Sequence, residues 1–341
     1  MRSFYGYERE ELSSLLTESG LPAVHAQTLF KHFYIPEQKT QTTHLPKKWS
    51  LLQDQMDFQK LEISAVHLSR YDGSVKFLLK LSDGALIESV LMPEKNRMTL
   101  CVSSQVGCKQ NCSFCDTGRM GLKRNLTAHE IVLQYVTVHH WLREKHGDAT
   151  PSISNVVFMG MGEPLHNAEQ VIKAVRILVD PWGFNLAKRK ITISTVGYLP
   201  GLIQLKESGL RVSLALSVHS VKSLLRSQLA PIQRIYPLNE VFAEMLAISS
   251  AWKQEILIQY TVFDQVNDSP EDATLLADFL EGHPVKVNLI PYNQTGKSRF
   301  RSPDPQKLSA FKDLLYARGI RAMIRYSKGQ DIQAACGQLV V

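Results

Sequence analysis

The chain of 341 residues is long enough for one large domain or two modest ones with a buried core. It is 44% hydrophobic and 21% charged and has no low-complexity tract or internal repeat, which sets aside disordered, fibrous and repeat architectures. A formal net charge of +7 favours a polyanionic partner such as nucleic acid, although an excess of this size is also found on ordinary solvated surfaces.

The opening residues, MRSFYGYEREELSS, lack the apolar stretch of a signal peptide, and no apolar run approaches the length of a membrane span. A cytoplasmic protein is expected. In that reducing compartment five cysteines point to metal binding or catalysis rather than to disulfides.

Along the chain, residues 10–18 and 23–34 read as helices broken by the Gly20-Leu21-Pro22 turn, and a polar stretch at 36–46 follows. Runs at 75–81 and 85–91, joined by Ser82-Asp83-Gly84, read as a hairpin. From Met98 onward short β-branched runs alternate with longer amphipathic ones. Strands are predicted at 99–103, 153–159, 190–195, 212–217, 256–263 and 285–290. The clearest helix opens on the capping-box sequence Thr127-Ala128-His129-Glu130 and keeps Ile131, Tyr135, Val138 and Leu142 on one face. Others are predicted at 168–178, 238–250, 270–281 and 305–317. This alternation implies an α/β fold, a parallel sheet with helical crossovers, either open or closed into a barrel. Ligands then belong at the carboxyl ends of the strands. An irregular tail at 329–341 carries Cys336.

The sharpest signal is Cys108-Lys-Gln-Asn-Cys112-Ser-Phe-Cys115. Three thiolates so close in sequence converge on a small metal centre. A 4Fe-4S cube held by only three protein sulfurs leaves one iron open to a small chelating molecule. Zinc is the alternative and needs a fourth ligand, but His129 and His139 on the next helix lack the usual paired spacing. Buried structural cysteines are a weaker alternative, because Gly107, Lys109, Gln110 and Asn111 read as loop.

One strand later comes Gly160-Met161-Gly162-Glu163-Pro164. Glycines directly after a buried strand let backbone approach a ligand, and Glu163 offers an acceptor to a ligand's ammonium group. Ser194, Ser217, His219 and Asn293 each fall at or just past a predicted strand end. Singly they read as caps or turns; together they form a binding rim. Cys101 and Cys336 read either as small apolar residues or as reactive thiols, and Cys336, just before a glycine in an aperiodic segment, fits the first description poorly.

The segments Leu100-Cys-Val-Ser-Ser-Gln-Val-Gly-Cys108, Met159-Gly-Met-Gly-Glu-Pro-Leu165 and Ala334-Ala-Cys-Gly-Gln-Leu339 resemble the RlmN/Cfr family of radical SAM RNA adenine methyltransferases. Leu229-Ala-Pro-Ile232, Val266-Asn-Asp268 and Asn288-Leu-Ile-Pro-Tyr-Asn293 extend the similarity across residues 75–341. The resemblance implies a radical SAM partial (β/α)6 barrel at 98–328. Around it lie a small N-terminal helical RNA-handling domain at 1–74, a β-hairpin linker at 75–97 and the tail at 329–341 with its catalytic cysteine. It implies a 4Fe-4S cluster on Cys108, Cys112 and Cys115, with S-adenosylmethionine filling the open iron. Gly162, Glu163, Ser194, Ser217, Val218, His219 and Asn293 would line the S-adenosylmethionine site.

In the chemistry the resemblance implies, Cys336 is methylated first. A 5′-deoxyadenosyl radical then removes hydrogen from the S-methyl group, and the methylene radical adds to carbon 2 of adenosine in 23S ribosomal RNA, with transfer RNA a further candidate substrate. Cys101 takes the ring proton and closes a transient disulfide with Cys336. Glu88 matches a carboxylate sometimes assigned as a proton acceptor, and reads equally well as a surface acid. Partners would be RNA and an electron donor such as flavodoxin or ferredoxin, with no membrane, the chain acting as a monomer. Pro164 leans toward the RlmN branch. A Cfr-like enzyme methylating carbon 8 is one alternative. A non-catalytic metal-containing RNA-binding protein is another, and it would have no use for Cys101 and Cys336. The chain departs from the pattern at Asp116, where relatives usually carry a small neutral residue, and the N-terminal unit matches only loosely. Basic clusters at Lys47-Lys48, Lys123-Arg124 and Lys188-Arg189-Lys190 are candidate phosphate contacts.

Overall fold

The computed structural model describes residues 2–34, 49–95, 97–296 and 298–341. The polar stretch at 36–46 and the Lys47-Lys48 cluster lie outside the described residues.

Ten strands form one sheet in unbroken chain order. They are β1 (Glu62–Leu68), β2 (Val75–Lys80), β3 (Leu86–Glu94), β4 (Arg97–Cys101), β5 (Ile153–Phe158), β6 (Ile191–Thr195), β7 (Ser213–Ser217), β8 (Ile256–Val262), β9 (Val285–Pro291) and β10 (Ala322–Ile324). Pairing is antiparallel from β1 to β4 and parallel from β4 to β10. After the N-terminal helices α1 (Arg9–Glu18) and α2 (His25–Tyr34), six helices cross between successive parallel strands. These are α3 (Ala128–His146), α4 (Ala168–Val179), α5 (Leu199–Glu207), α6 (Leu238–Trp252), α7 (Pro270–Leu280) and α8 (Pro305–Ala317). Successive crossovers of one hand, stepping in one direction, stack every helix on one face and leave the other face concave. Residues of β3 through β6 and β8 through β10 border one shared cavity of about 360 Å³, so the sheet curls around an interior. This is the expected (β/α)6 barrel, open between β1 and β10 among the described residues.

Two-residue alternation decides what faces that interior. On β8, Ile258, Tyr260 and Val262 are buried away from the cavities, while Gln259 and Thr261 line them. On β9, Val287 and Leu289 are likewise buried, and Asn288 and Ile290 look inward. Thr99 and Cys101 of β4 and Asn155 and Val157 of β5 follow the same rule. Polar groups and a thiol thus collect inside, with aliphatic residues under the helices.

The capping box expected before α3 is formed. The Glu130 carboxylate accepts the Thr127 amide at 2.9 Å, the Thr127 hydroxyl accepts the Glu130 amide, and Ile131, Tyr135, Val138 and Leu142 are buried. Among the ten sheet strands and six crossover helices, three elements escaped the periodicity. Strand β1 is half-exposed, β10 has only three residues, and α5 begins Leu-Pro-Gly. In α5, proline near the N-terminus suits a first turn. Gly201 is required by contact, because a Cβ there would stand 2.1 Å from the Leu165 carbonyl.

The N-terminal helices dock on the barrel. Phe4, Phe30, Phe33, Tyr34 and Phe58 form an aromatic cluster that reaches Tyr135 of α3 through Phe184. Arg9–Asp180 at 3.0 Å and Lys173–Glu11 at 2.7 Å span the junction.

Candidate functional site

Beyond β4 the chain forms a small hairpin, Gln105–Gly107 against Leu122–Asn125, and the cysteine loop is the excursion between its arms. Gly107 takes φ +79°, and a Cβ there would lie 1.8 Å from the Gly121 carbonyl, so only glycine closes the loop's neck. Arg124 anchors the second arm. Its guanidinium holds both Glu130 oxygens at 2.8 Å and Asp83 at 2.8 Å. Of the Lys123-Arg124 pair, Arg124 is thus engaged within the protein and Lys123 is exposed. Lys188 and Arg189 are exposed.

Cys108, Cys112 and Cys115 all border a cavity of about 170 Å³ at the carboxyl ends of the strands. All three are free thiols, and burial pushes each up, Cys108 to about 12. Such thiols stay protonated unless a cation displaces the proton. Backbone N–H groups already face the sulfurs: Gln110 toward Cys108 at 3.5 Å, and Thr117 and Gly118 toward Cys115. Three thiols on one cavity wall, two of them with amide donors, are the donor set of a thiolate-ligated iron–sulfur cluster, although among the described residues the side chains are not drawn together into a metal-holding group. Asp116, the departure from the family pattern, is paired with Arg119 at 3.1 Å.

The same cavity gathers Gly162, Glu163, Ser194, Ser217, His219 and Asn293, the rim expected from the sequence. Glu163 is buried, and its two oxygens accept the amides of Leu165 at 3.1 Å and Val196 at 3.0 Å. Burial raises its carboxyl to about 7. His219, at φ +59°, accepts the Thr261 amide on Nδ1 at 3.1 Å. Burial, with Arg226 second, lowers its pKa to about 3, so the ring stays neutral and its other nitrogen carries the proton. Val218 is different. It is fully buried, borders neither cavity, and contributes backbone, its N–H to the Gln259 carbonyl and its C=O to Arg226. The glycines also serve another purpose than close approach to a ligand. A Cβ on Gly160 would meet the Val102 carbonyl at 2.7 Å, and one on Gly162 the Gln105 side chain at 2.6 Å, so they seat the β5 turn against the end of β4 and the hairpin arm that follows it.

Cys336 is exposed and borders both cavities, the thiol-lined one and the larger interior one, whereas Cys101 is buried and borders only the interior. Burial, and secondarily the nearby Cys336, lifts Cys101 to about 12. The tail carrying Cys336 has no regular strand or long helix, and side chains from many elements hold it. Asn293 Nδ2 donates to the Cys336 carbonyl at 3.1 Å, Gln338 donates to the Gln294 carbonyl at 2.7 Å, and Thr117 donates to the Leu339 carbonyl at 2.6 Å. The Asp116 amide donates to Gly337 at 2.8 Å, joining tail to cysteine loop.

Glu88 belongs to this scaffolding. Its side chain pairs with Lys76 at 2.9 Å, accepts the Val340 amide at 2.9 Å, and borders neither cavity. It is not a surface acid.

Two residues were not anticipated. Gln259 lies on the wall shared by both cavities, and among the described residues its buried Nε2 has no hydrogen-bond partner, which makes it a donor suited to a bound molecule. Its position inside a β-branched strand with inward period two is the signal that could have found it. Arg226 is fully buried, on a helix turn too short to show periodicity.

Comparison with known proteins agrees with this geometry. Residues 102–277 match the model of the radical SAM superfamily. The dual-specificity RNA methyltransferase RlmN of Desulfotalea psychrophila is 37% identical over 337 residues, covering 97% of this chain and 92% of that protein. Its counterpart in Vesicomyosocius okutanii is 43% identical over 270 residues, covering 79% and 74%. The crystal structure of a radical SAM methyltransferase from Sphaerobacter thermophilus superposes with a TM-score of 0.91 at 39% identity, over 99% of both chains. With its cysteine loop, ligand rim and tail cysteine assembled at one barrel mouth, the chain belongs to the RlmN family of radical SAM RNA methyltransferases, enzymes that use S-adenosylmethionine and an iron–sulfur cluster.

Proposed function

We propose that the chain methylates carbon 2 of an adenosine in 23S ribosomal RNA and acts also on transfer RNA, through an S-methylcysteine at Cys336 and a transient Cys336–Cys101 disulfide. The observation that carries this is the position of Cys336 at the junction of two cavities, one lined by three thiols and the other by Cys101. The words "dual-specificity" in the relatives' names support two classes of RNA.

Cys108, Cys112 and Cys115 would hold a 4Fe-4S cluster as thiolates. Gly162, Glu163, Ser194, Ser217, His219 and Asn293 would hold S-adenosylmethionine, with Val218 supporting them from behind; Glu163 would accept from its amino group. When bound, the two cofactors supply a 5′-deoxyadenosyl radical able to take hydrogen from an unactivated carbon.

Cys336 is reached from both sides. Its sulfur can accept a methyl group, present it to the radical site and carry the resulting methylene to the base. Carbon 2 of adenine is a poor nucleophile, which is why the carbon must arrive as a radical. Cys101, once ionised, is a strong base because burial disfavours its anion, and it takes the ring proton. As the adduct loses that proton it would also give up its odd electron, returned to the cluster that was oxidised when the radical formed. The Cys101 sulfur then attacks Cys336, the S–S bond forms, and the Cys336 S–C bond breaks with its electron pair on the methylene carbon. The thiol proton of Cys101 ends on that carbon to complete the methyl group. Glu88 serves by positioning the tail.

Residues 1–74 would handle RNA and 75–97 join them to the core at 98–328, with the tail at 329–341 completing the site. The reductant would be flavodoxin or ferredoxin, and the enzyme would act in the cytoplasm as a monomer. Among the described residues no helix is long and apolar enough to cross a membrane. The test is anaerobic turnover of reconstituted protein with 23S and transfer RNA, then mass spectrometry of the nucleosides against 2-methyladenosine and 8-methyladenosine standards. 2-Methyladenosine from both RNAs is expected; 8-methyladenosine, or no methylation by an iron-loaded protein, would overturn the proposal.

A further inference from the structure

Arg226 lies in the middle of the short helix Ser223–Leu229 and is 0% exposed. Its guanidinium donates to the carbonyls of Val218 at 3.2 Å, Val196 at 2.7 Å and Ser217 at 3.3 Å, and to Gln233 Oε1 at 2.7 Å. Every acceptor is neutral. Among the described residues no carboxylate pairs with it, although ion pairs are common elsewhere in the chain. Burying a cation without a counter-anion is strongly unfavourable, so an arrangement of this kind calls for a negative group nearby.

The segment bearing Arg226 is docked on the cysteine loop. Cys112 packs against Val196, Ala230 and Ile232, and the Ser113 amide donates to the Leu229 carbonyl at 3.1 Å. Arg226 Nη2 bonds the carbonyl of Val196, a residue of the small cluster on which Cys112 packs, so the guanidinium sits directly behind that thiol's wall. The two carbonyl-bearing strand ends it grips, Val196 and Ser217, are those that carry the ligand rim.

We propose that Arg226 is the fixed counter-charge of the iron–sulfur cluster, set behind Cys112 to raise the cluster's reduction potential. This rests on the cluster assigned to Cys108, Cys112 and Cys115 above. Reduction brings in one electron from a flavin or iron–sulfur donor with no accompanying proton, so negative charge grows at the thiolate-bound centre. A cation held in a low-dielectric wall favours that state and needs no reorganisation to do so. Arg226 touches neither substrate nor cofactor; it acts through its field, and by bridging β6 and β7 it also keeps the rim in place.

The test uses full-length protein reconstituted anaerobically with iron and sulfide, and reads the midpoint potential by EPR-monitored redox titration beside iron content and melting temperature. Gln233→Glu is the decisive variant. It places a carboxylate on the existing 2.7 Å contact and cancels the cation without removing the guanidinium. Gln233→Glu and Arg226→Gln should both shift the potential to more negative values at full iron content, and Arg226→Lys should stay near the parent. If Arg226→Gln does not hold a cluster, Gln233→Glu decides alone. A parent potential in Gln233→Glu at full iron content would overturn the proposal and leave Arg226 as scaffolding. A parent protein lacking iron and sulfide would overturn the proposed function as well.

Discussion

Asn293 Nδ2 donates to the backbone carbonyl of Cys336 at 3.1 Å while its Oδ1 accepts from Gln330 at 3.2 Å. A residue past the end of β9 thereby fixes the segment that carries the outlying cysteine. Cys336 stands where it does because side chains of the barrel mouth grip backbone in a tail with little structure of its own.

Glu88 is another of these grips, and it is buried. Glu88→Ala removes the acceptor for Val340 and leaves the Lys76 ammonium buried without its partner, a loss of about 3–5 kcal/mol for a buried pair. Hydrogen exchange at residues 329–341 should rise sharply. Iron content should hold, since Glu88 borders neither cavity. Unchanged exchange in the tail would contradict the positioning role.

Glu163 is predicted to hold S-adenosylmethionine. Glu163→Gln keeps the size of the side chain and an oxygen for the Leu165 or Val196 amide but loses the charge-assisted contact, so affinity should fall roughly 10-fold. Iron and sulfide content should be near normal. Parent affinity in an equilibrium titration would reduce Glu163 to a turn residue.

The Arg124–Glu130 pair ties the cysteine loop to α3, and it carries a pH signature. Burial raises the Glu130 carboxyl, but the Arg124 and Thr127 contacts outweigh it and the net direction is down. The unfolded chain then binds more protons in acid. The stabilisation is present above the unfolded value near 4.5 and is lost as pH falls through the folded one. Glu130→Gln should lower stability at pH 7 by about 2 kcal/mol, the pair being 32% open to solvent on the arginine side. The deficit should shrink toward pH 3 in chemical denaturation. A deficit constant across that range would contradict the assignment.

The sequence exposed the site better than it exposed the scaffold. The three loop cysteines, Glu163, Ser194, Ser217, His219 and Asn293 fall at strand ends, and because all parallel strands of a barrel point one way, strand ends assemble without further information. The burial of Glu88 was not legible because a lone acid on a strand carries no sign of its partners, Lys76 and Val340, the latter 252 positions away. Arg226 was missed because seven helical residues give no periodicity, and its meaning lies in the absence of a counter-charge, which only packing reveals. Gly160 and Gly162 were located, but the atoms that demand glycine there belong to the protein itself.

The central claim is the division of labour between Cys336 and Cys101, and the most direct measurement is a denaturing gel of each alanine variant after anaerobic turnover with RNA. Cys336→Ala cannot accept a methyl group and should form no bond to RNA. Cys101→Ala should be methylated at Cys336, attack the base and then stall, lacking both the acceptor for the ring proton and the sulfur that opens the thioether. A protein–RNA adduct, stable to denaturant and shortened by ribonuclease, is therefore predicted in Cys101→Ala alone. Absence of the adduct from both variants, each with its cluster intact, would contradict the account.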